Sequence, residues 1–197
     1  MQKKYFIEIT PDRASVGGKE LPAEGRGHEL LVSLYRRFVG DYPKFFKMDA
    51  LSRLGFIASE LLLQAERDDV SPADMAMKEE GREDRALVFF NRSSSLCDDM
   101  HYQDTIAGKD NFFPSPKVFV YTLPNIVTGE IAIRNKYYGE TCFYVIDSCD
   151  EALIDTVARQ AFDDDATTSV ITGWLDCISD DEFEARVWLI EKENNKQ

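Results

Sequence analysis

Apolar positions along the chain follow two periods, and each change of period marks a new element. Residues 4–9 (KYFIEI) alternate apolar and polar side chains, which predicts a strand with one covered face. Residues 28–39 are apolar at 30, 31, 34, 35, 38 and 39; this is helical spacing, and Gly40 and Pro43 end it. Residues 49–66 carry the broadest helical stripe: Leu51, Leu54, Ile57, Ala58, Leu61, Leu62 and Ala65. Residues 86–90 (ALVFF) are apolar throughout, as expected of a strand covered on both faces. Helical spacing returns at 126, 127, 131, 133 and 137, and a strand-like run follows at 141–146 (TCFYVI). Asp147 or Ser148 then opens another helix. Ser148 and Glu151 have the spacing of a capping box, and Leu153, Ile154, Val157, Ala158, Ala161 and Phe162 supply its buried side. Strands over 168–172 and 183–191 complete the pattern.

Other segments have no period. Residues 11–27 are rich in glycine, contain two prolines and read as a loop. Their Gly17-Gly18-Lys19 is half of a phosphate loop, without the outer glycine or the following Ser or Thr. Residues 68–85 read as a polar loop with a short helical piece, and 93–116 as irregular. Residues 117–121 (KVFVY) are apolar after Lys117, with Pro124 close behind. Strands alternating with helices predict an α/β fold, a largely parallel sheet with helices on both faces. The last two strands are joined by too few residues for a crossover helix, so they should be antiparallel neighbours.

A chain of 197 residues, 44% hydrophobic and 30% charged, suits a single domain with one sizeable core. The 23 basic and 36 acidic residues leave a net charge of −13. Residues 140–184 hold thirteen acidic side chains and one basic residue, Arg159, and so carry −12 of it. That balance speaks against nucleic-acid binding and against an anionic partner on the acidic face. The Asp163-Asp164-Asp165 run has no His or Cys beside it at ligand spacing and reads as a solvated loop, so no metal or other cofactor is expected. The four cysteines form no C-x-x-C, no leader pattern opens the chain, and no apolar stretch is long enough to span a membrane. The expectation is a cytoplasmic protein with free thiols.

Four blocks add a resemblance. Phe46-Lys47-Met48-Asp49-Ala50-Leu51-Ser52-Arg53-Leu54 resembles the met-asp-x-leu-ser-arg helix start of β-ketoacyl-acyl-carrier-protein synthases. The run from Phe119 through Tyr121-Thr122-Leu123-Pro124-Asn125 to Gly129-Glu130-Ile131-Ala132 is similar to their tyr-thr-leu-pro-asn … gly-glu-ile-ala stretch. Gly139, a strand and Ser148-Cys149 occupy the place of the family's glycine, strand and nucleophilic cysteine. Ile171-Thr172-Gly173-Trp174-Leu175-Asp176 is similar to its gly-gly-x-asp strand end. The resemblance implies one thiolase-like half spanning 1–197. Its five-stranded mixed sheet would have the predicted strands, numbered along the chain, in the order 3-2-1-4-5, with the last antiparallel. It also implies an acyltransferase role in fatty-acid or polyketide-type assembly, an acyl carrier protein as partner, and a homodimer or a ketosynthase-like partner subunit.

The residues qualify that implication. In the family, a second similar half supplies two histidines that assist decarboxylation; the only histidines here, His28 and His101, both precede Cys149. Cys149 is the candidate nucleophile, since a helix N-terminus favours thiolate. Asp147, Asp150 and Glu151 crowd it, however, and like charge disfavours thiolate. The sequence therefore leaves two alternatives open: an acylated cysteine, with His101 as a conceivable base, or a small buried cysteine at an ordinary capped helix. The expected role is a ketosynthase-like subunit that is not catalytic alone. The alternative is an acyl-carrier or acyl-chain binding module, or a structural partner subunit. For docking an acidic carrier protein, Arg36, Arg37, Lys44, Lys47 and Arg53 are the candidates, against only Asp41 and Asp49 in the same stretch.

Overall fold

In the computed structural model, residues 3–69, 81–108 and 113–192 are described. Strand β4, Arg85–Asn91, is buried at every position, which is why its sequence shows no alternation. Leu87 and Phe89 enter one core and Ala86, Val88 and Phe90 the other. Beside β4 lie two parallel partners, β5 (Thr141–Val145) and β6 (Ser169–Ser179). Strand β7 (Glu182–Glu191) returns antiparallel from β6, as the short connection predicts. Then come β1 (Lys3–Thr10), β2 (Arg13–Val16) and β3 (Lys19–Glu20), each antiparallel to its neighbour. The full order is β3-β2-β1-β7-β6-β4-β5.

Two expectations about the sheet are corrected here. It has seven strands, because part of the predicted 11–27 loop folds back onto β1 as β2 and β3. The turn between them uses Gly17 and Gly18, both at positive φ, so the glycines read as a phosphate-loop fragment close a hairpin instead. The five predicted strands stand in the order 3-2-4-5-1, not 3-2-1-4-5. Strand β4 pairs directly with β6, Ala86 opposite Val170, which leaves no place for β1 between them. β1 pairs instead with the far edge of β7, Glu8 opposite Arg186.

The first core lies under α1 (His28–Phe38), α2 (Ala50–Asp69) and α5 (Ile126–Asn135). α2 buries the stripe its sequence announces, and Gly55 lets it approach α5: a Cβ there would overlap Val127. Arg85 makes two 2.7 Å hydrogen bonds to the Glu66 carboxylate and one of 3.0 Å to Ser169 Oγ, which ties the end of α2 to β4 and β6. The second core lies on the opposite face, under α6 (Glu151–Ala158) and the 3₁₀ turn Arg159–Asp163. Residues 93–116, expected to be irregular, contain α3 (Leu96–Ile106), in which Asp98 alone is buried. Residues 117–121 form the one-turn helix α4 (Pro116–Phe119) and the start of the 3₁₀ turn Val120–Thr122. Of the loop predicted over 68–85, residues 70–80 lie outside the described residues. β6 runs well beyond the predicted 168–172, so Gly173 sits inside the strand and not at its end. At φ +149° it faces Arg186 O so closely that no Cβ would fit.

Candidate functional site

Cys149 lies in the connection from β5 to α6. Ile146 N–H donates to Asn91 O at 2.8 Å and holds the start of this connection at the end of β4. The helix is capped by Asp150, not by Asp147 or Ser148 as predicted. Asp150 Oδ1 accepts from Ala152 N at 3.0 Å and Leu153 N at 3.1 Å. Leu153, expected in the buried face, is 43% exposed; Ile154 and Ala158 are buried. Cys149 thus precedes the cap, and the carboxylate beside it takes the amide groups that would otherwise favour a thiolate. Its side chain is half-buried against the second core, with Phe6, Ile146 and Val157. Burial pushes the thiol above its ordinary pKa; Arg186 pulls it down, while Glu184, Glu151 and Asp150 push it up. Arg186 is itself engaged by Glu184, at 2.6 Å and 2.8 Å. His101 belongs to α3, on the other face of the sheet, so the structure does not bring the two together.

The five basic candidates do not form one patch. Arg36 and Arg37 are exposed in the last turn of α1 and line an open groove of about 860 Å³ with Phe46, itself 48% exposed. Lys44 is bound to the buried Glu130 at 2.7 Å. Arg53 turns inward, with Nη1 3.0 Å from His28 Nδ1. Lys47 lines a separate hollow of about 220 Å³ together with Lys117 and Tyr121.

A cleft of about 550 Å³ opens where α2, α3 and the end of β6 meet. The met-asp-x-leu-ser-arg block builds one wall. Met48 is buried, Asp49 Oδ1 caps α2 by accepting from Ser52 N at 3.0 Å, and Arg53 lines the cleft. α3 contributes Cys97, Asp98 and His101. The tyr-thr-leu-pro-asn block fixes α3 from outside, since Ser95 Oγ donates to Thr122 O at 2.6 Å. Asp98 is 7% exposed, and burial followed by its hydrogen bond with Asp49 pushes its carboxyl up to about 9. Asp98 therefore keeps its proton at neutral pH. Cys177 projects from β6 into the first core and its Sγ donates to Ser179 O at 3.5 Å; its influence lowers the Cys97 thiol, and that of Cys97, with burial, raises Cys177. The sequence offered a partial signal for this site, Cys97 and His101 one helical turn apart, but α3 itself was not recognised. Among the described residues no group of three or more His, Cys, Asp or Glu side chains stands together to hold a metal ion, and no helix is long and apolar enough to cross a membrane.

No family model matches the chain, and no curated protein matches it. Solved structures do. A chain of the ishigamide ketosynthase/chain length factor superposes with a TM-score of 0.66 at 15% identity, covering 99% of this chain. The chain has the ketosynthase fold. A ketosynthase in complex with its chain length factor, from Xenorhabdus doucetiae, gives 0.60 at 14% identity, covering 98% of this chain and 79% of that one. A type II polyketide synthase acyl-carrier protein in complex with its ketosynthase, bound to the hexaketide, gives 0.55 at 13%, covering 96% and 62%. This chain spans 63% of the ishigamide chain's length.

Proposed function

We propose that this chain is a ketosynthase-like subunit of polyketide- or fatty-acid-type acyl assembly that works paired with another chain of the same fold and does not condense acyl groups alone. In this reading residues 1–197 are one ketosynthase-like domain. The observation that carries it is the free edge of β5, the last strand in the sheet. Glu140 O and Ile146 N bond to β4, so even-numbered residues turn their backbone inward, and Thr141, Phe143 and Val145 turn theirs out. The strand carries no charge and no proline to block pairing. Tyr144, Val145, Tyr138 and Ile133 are exposed around it, by 40%, 53%, 69% and 66%. A second strand laid along this edge, from a second copy or a ketosynthase-like partner, satisfies those groups and covers the apolar rim. The pairing of a ketosynthase with a chain length factor in a structure of the same fold supports the reading.

The same reading assigns acyl-carrier docking to Arg36 and Arg37, the exposed pair beside Phe46, and leaves Lys44 and Arg53 to their internal partners. A ketosynthase of this fold has been solved with its acyl-carrier protein, which supports a carrier as the second partner. Charge reversal at both arginines, or raised salt, should weaken carrier binding.

Sedimentation tests the pairing. The expected result is a dimer at tens of micromolar, or a stable pair on co-expression with a ketosynthase-like chain encoded beside it. Val145→Lys, at an exposed site, should abolish either. A protein that stays monomeric in both settings, or pairing indifferent to Val145→Lys, overturns the reading.

A further inference from the structure

Buried acids in this fold are matched by a cation or by backbone donors. Glu66 meets Arg85, Glu130 meets Lys44 and Glu60 meets Arg134. Asp176 Oδ1 accepts from Arg92 N and Ser93 N. Asp98 is the exception. It is 7% exposed, and among the described residues no donor reaches its buried Oδ2. The side chain it meets is a second acid, Asp49, whose Oδ1 already accepts from Ser52 N. A carboxyl group buried without a donor is costly unless something outside the chain completes it.

Asp98 lines the cleft of about 550 Å³, and the charge around it has mostly one sign. Asp49, Asp104, Asp180 and Asp181 line the same cleft, the last two from the turn between β6 and β7. Among the described residues, Asp49, Asp98, Asp104 and Asp180 have no ion-pair partner. The basic groups on the wall are His101 and Arg53, and Arg53 Nη1 lies 3.0 Å from His28 Nδ1. A metal ion does not suit these acids, because among the described residues no three such side chains stand together to hold one. The ligand that suits them carries positive charge at more than one point and has an apolar stem to lie against Met48, Met100 and Ile178. We propose that the cleft binds a linear aliphatic polyamine, with one ammonium group on Asp98 and Asp49 and another on the exposed acids Asp104 and Asp180.

The ammonium group takes the place of a proton. Burial, with Asp49, Cys97 and Asp99 adding to it, holds the Asp98 carboxyl up at about 9, so without ligand it is uncharged at neutral pH. An ammonium group donating to Asp98 favours the ionised form, and the carboxyl proton leaves to solvent. The buried acid is neutralised in both states, by its own proton in one and by the ligand in the other.

Titration calorimetry of the whole folded protein with spermidine at pH 7 tests this. The expected result is saturable binding at a single site with release of a proton, read as an enthalpy that changes with the ionisation heat of the buffer. Asp98→Asn should weaken binding about tenfold and abolish the proton release. Asp104→Asn with Asp180→Asn, both at exposed sites, should weaken binding severalfold and keep the proton release. These two changes and the wild-type proton release carry the test if Asp98→Asn does not fold. Butylamine, with one ammonium group, should bind more weakly than spermidine. Neutralising Asp163 and Asp165, exposed and outside the cleft, should change nothing. No saturable binding up to millimolar spermidine, binding indifferent to Asp98→Asn, or displacement by magnesium at equal charge, as for simple screening of an acidic surface, overturns the proposal.

Discussion

Two cysteines, Cys149 and Cys97, each stand near a helix N-terminus after a strand, on opposite faces of one sheet, and their thiols are pushed in opposite directions. Cys149 precedes α6, but Asp150 accepts that helix's amide hydrogens, and burial raises the thiol. Cys97 lies inside the first turn of α3 with the Asp49 and Asp180 carboxylates near it, and is lowered all the same, because the neighbouring Cys177 thiol outweighs them and burial. A helix end does not activate a thiol when another group has taken its donors. A neighbour that favours the thiolate does. The position that resembles the family's nucleophile is thus the less activated of the two.

The largest effect that tests this contrast is catalytic. Given acyl- and malonyl-loaded carrier protein, the purified chain should release no carbon dioxide above background. Cys149 has neither a histidine base beside it nor free amide donors at its helix end, and groups of that kind together account for about ten-thousand-fold in rate. Condensation by this chain alone at an ordinary enzymatic rate would mean that Cys149 is activated in a way its surroundings do not show.

Next comes the order of alkylation. With iodoacetamide at pH 7, Cys97 should react faster than Cys149, because its thiol is lowered and that of Cys149 raised, so more of it is thiolate. Digestion and mass spectrometry at timed quenches read both sites at once. Equal rates, or Cys149 first, would reverse the comparison and restore the family-like nucleophile.

Much of the fold was legible because local pattern and burial agree. The stripe from Leu51 to Leu62 is the buried side of α2, and ALVFF is the doubly covered β4. α3 was missed because its face is chemical and not apolar: it buries an aspartate, so no helical period shows. Strand order was missed because it is decided by pairing between distant segments, Lys3–Thr10 with Glu182–Glu191, on which local pattern is silent. The cap was misassigned because Ser148, Asp150 and Glu151 all suit a helix start, and only the backbone decides which side chain reaches the amides. The cleft needed Asp49, Asp98 and Ile178 together, from three places in the chain, one of them the unrecognised α3.

The Asp98 carboxyl gives a smaller, pH-dependent test of the same cleft. At about 9 it lies above the ordinary carboxylate range, so between about pH 4 and 9 the folded protein holds a proton that the unfolded chain has lost. Stability from this group is therefore present at low pH and falls as pH rises through that window. Asp98→Asn keeps the shape and removes the titration. Urea unfolding should show the wild type losing at least about 1 kcal/mol more than the variant between pH 5 and pH 8. Parallel pH curves for the two proteins would mean that Asp98 is ionised in the folded protein.

The smallest effect separates the two influences on Cys149. Asp150→Ala removes the acceptor for Ala152 and Leu153 N–H and takes away one of the carboxylates that push the thiol up. Loss of the cap should cost about 1 kcal/mol, or roughly 2–4 °C in melting temperature for a chain of this size. The exposed amides then favour a thiolate at Cys149, so alkylation there should quicken about two- to fivefold while Cys97 is unchanged. The gain stays modest because burial, the larger influence on Cys149, is untouched. A lowered melting temperature with no change in Cys149 reactivity would show that burial alone sets this thiol. Cys149 overtaking Cys97 would instead mean that the cap was the whole barrier, and that one substitution converts this connection into a nucleophile's seat.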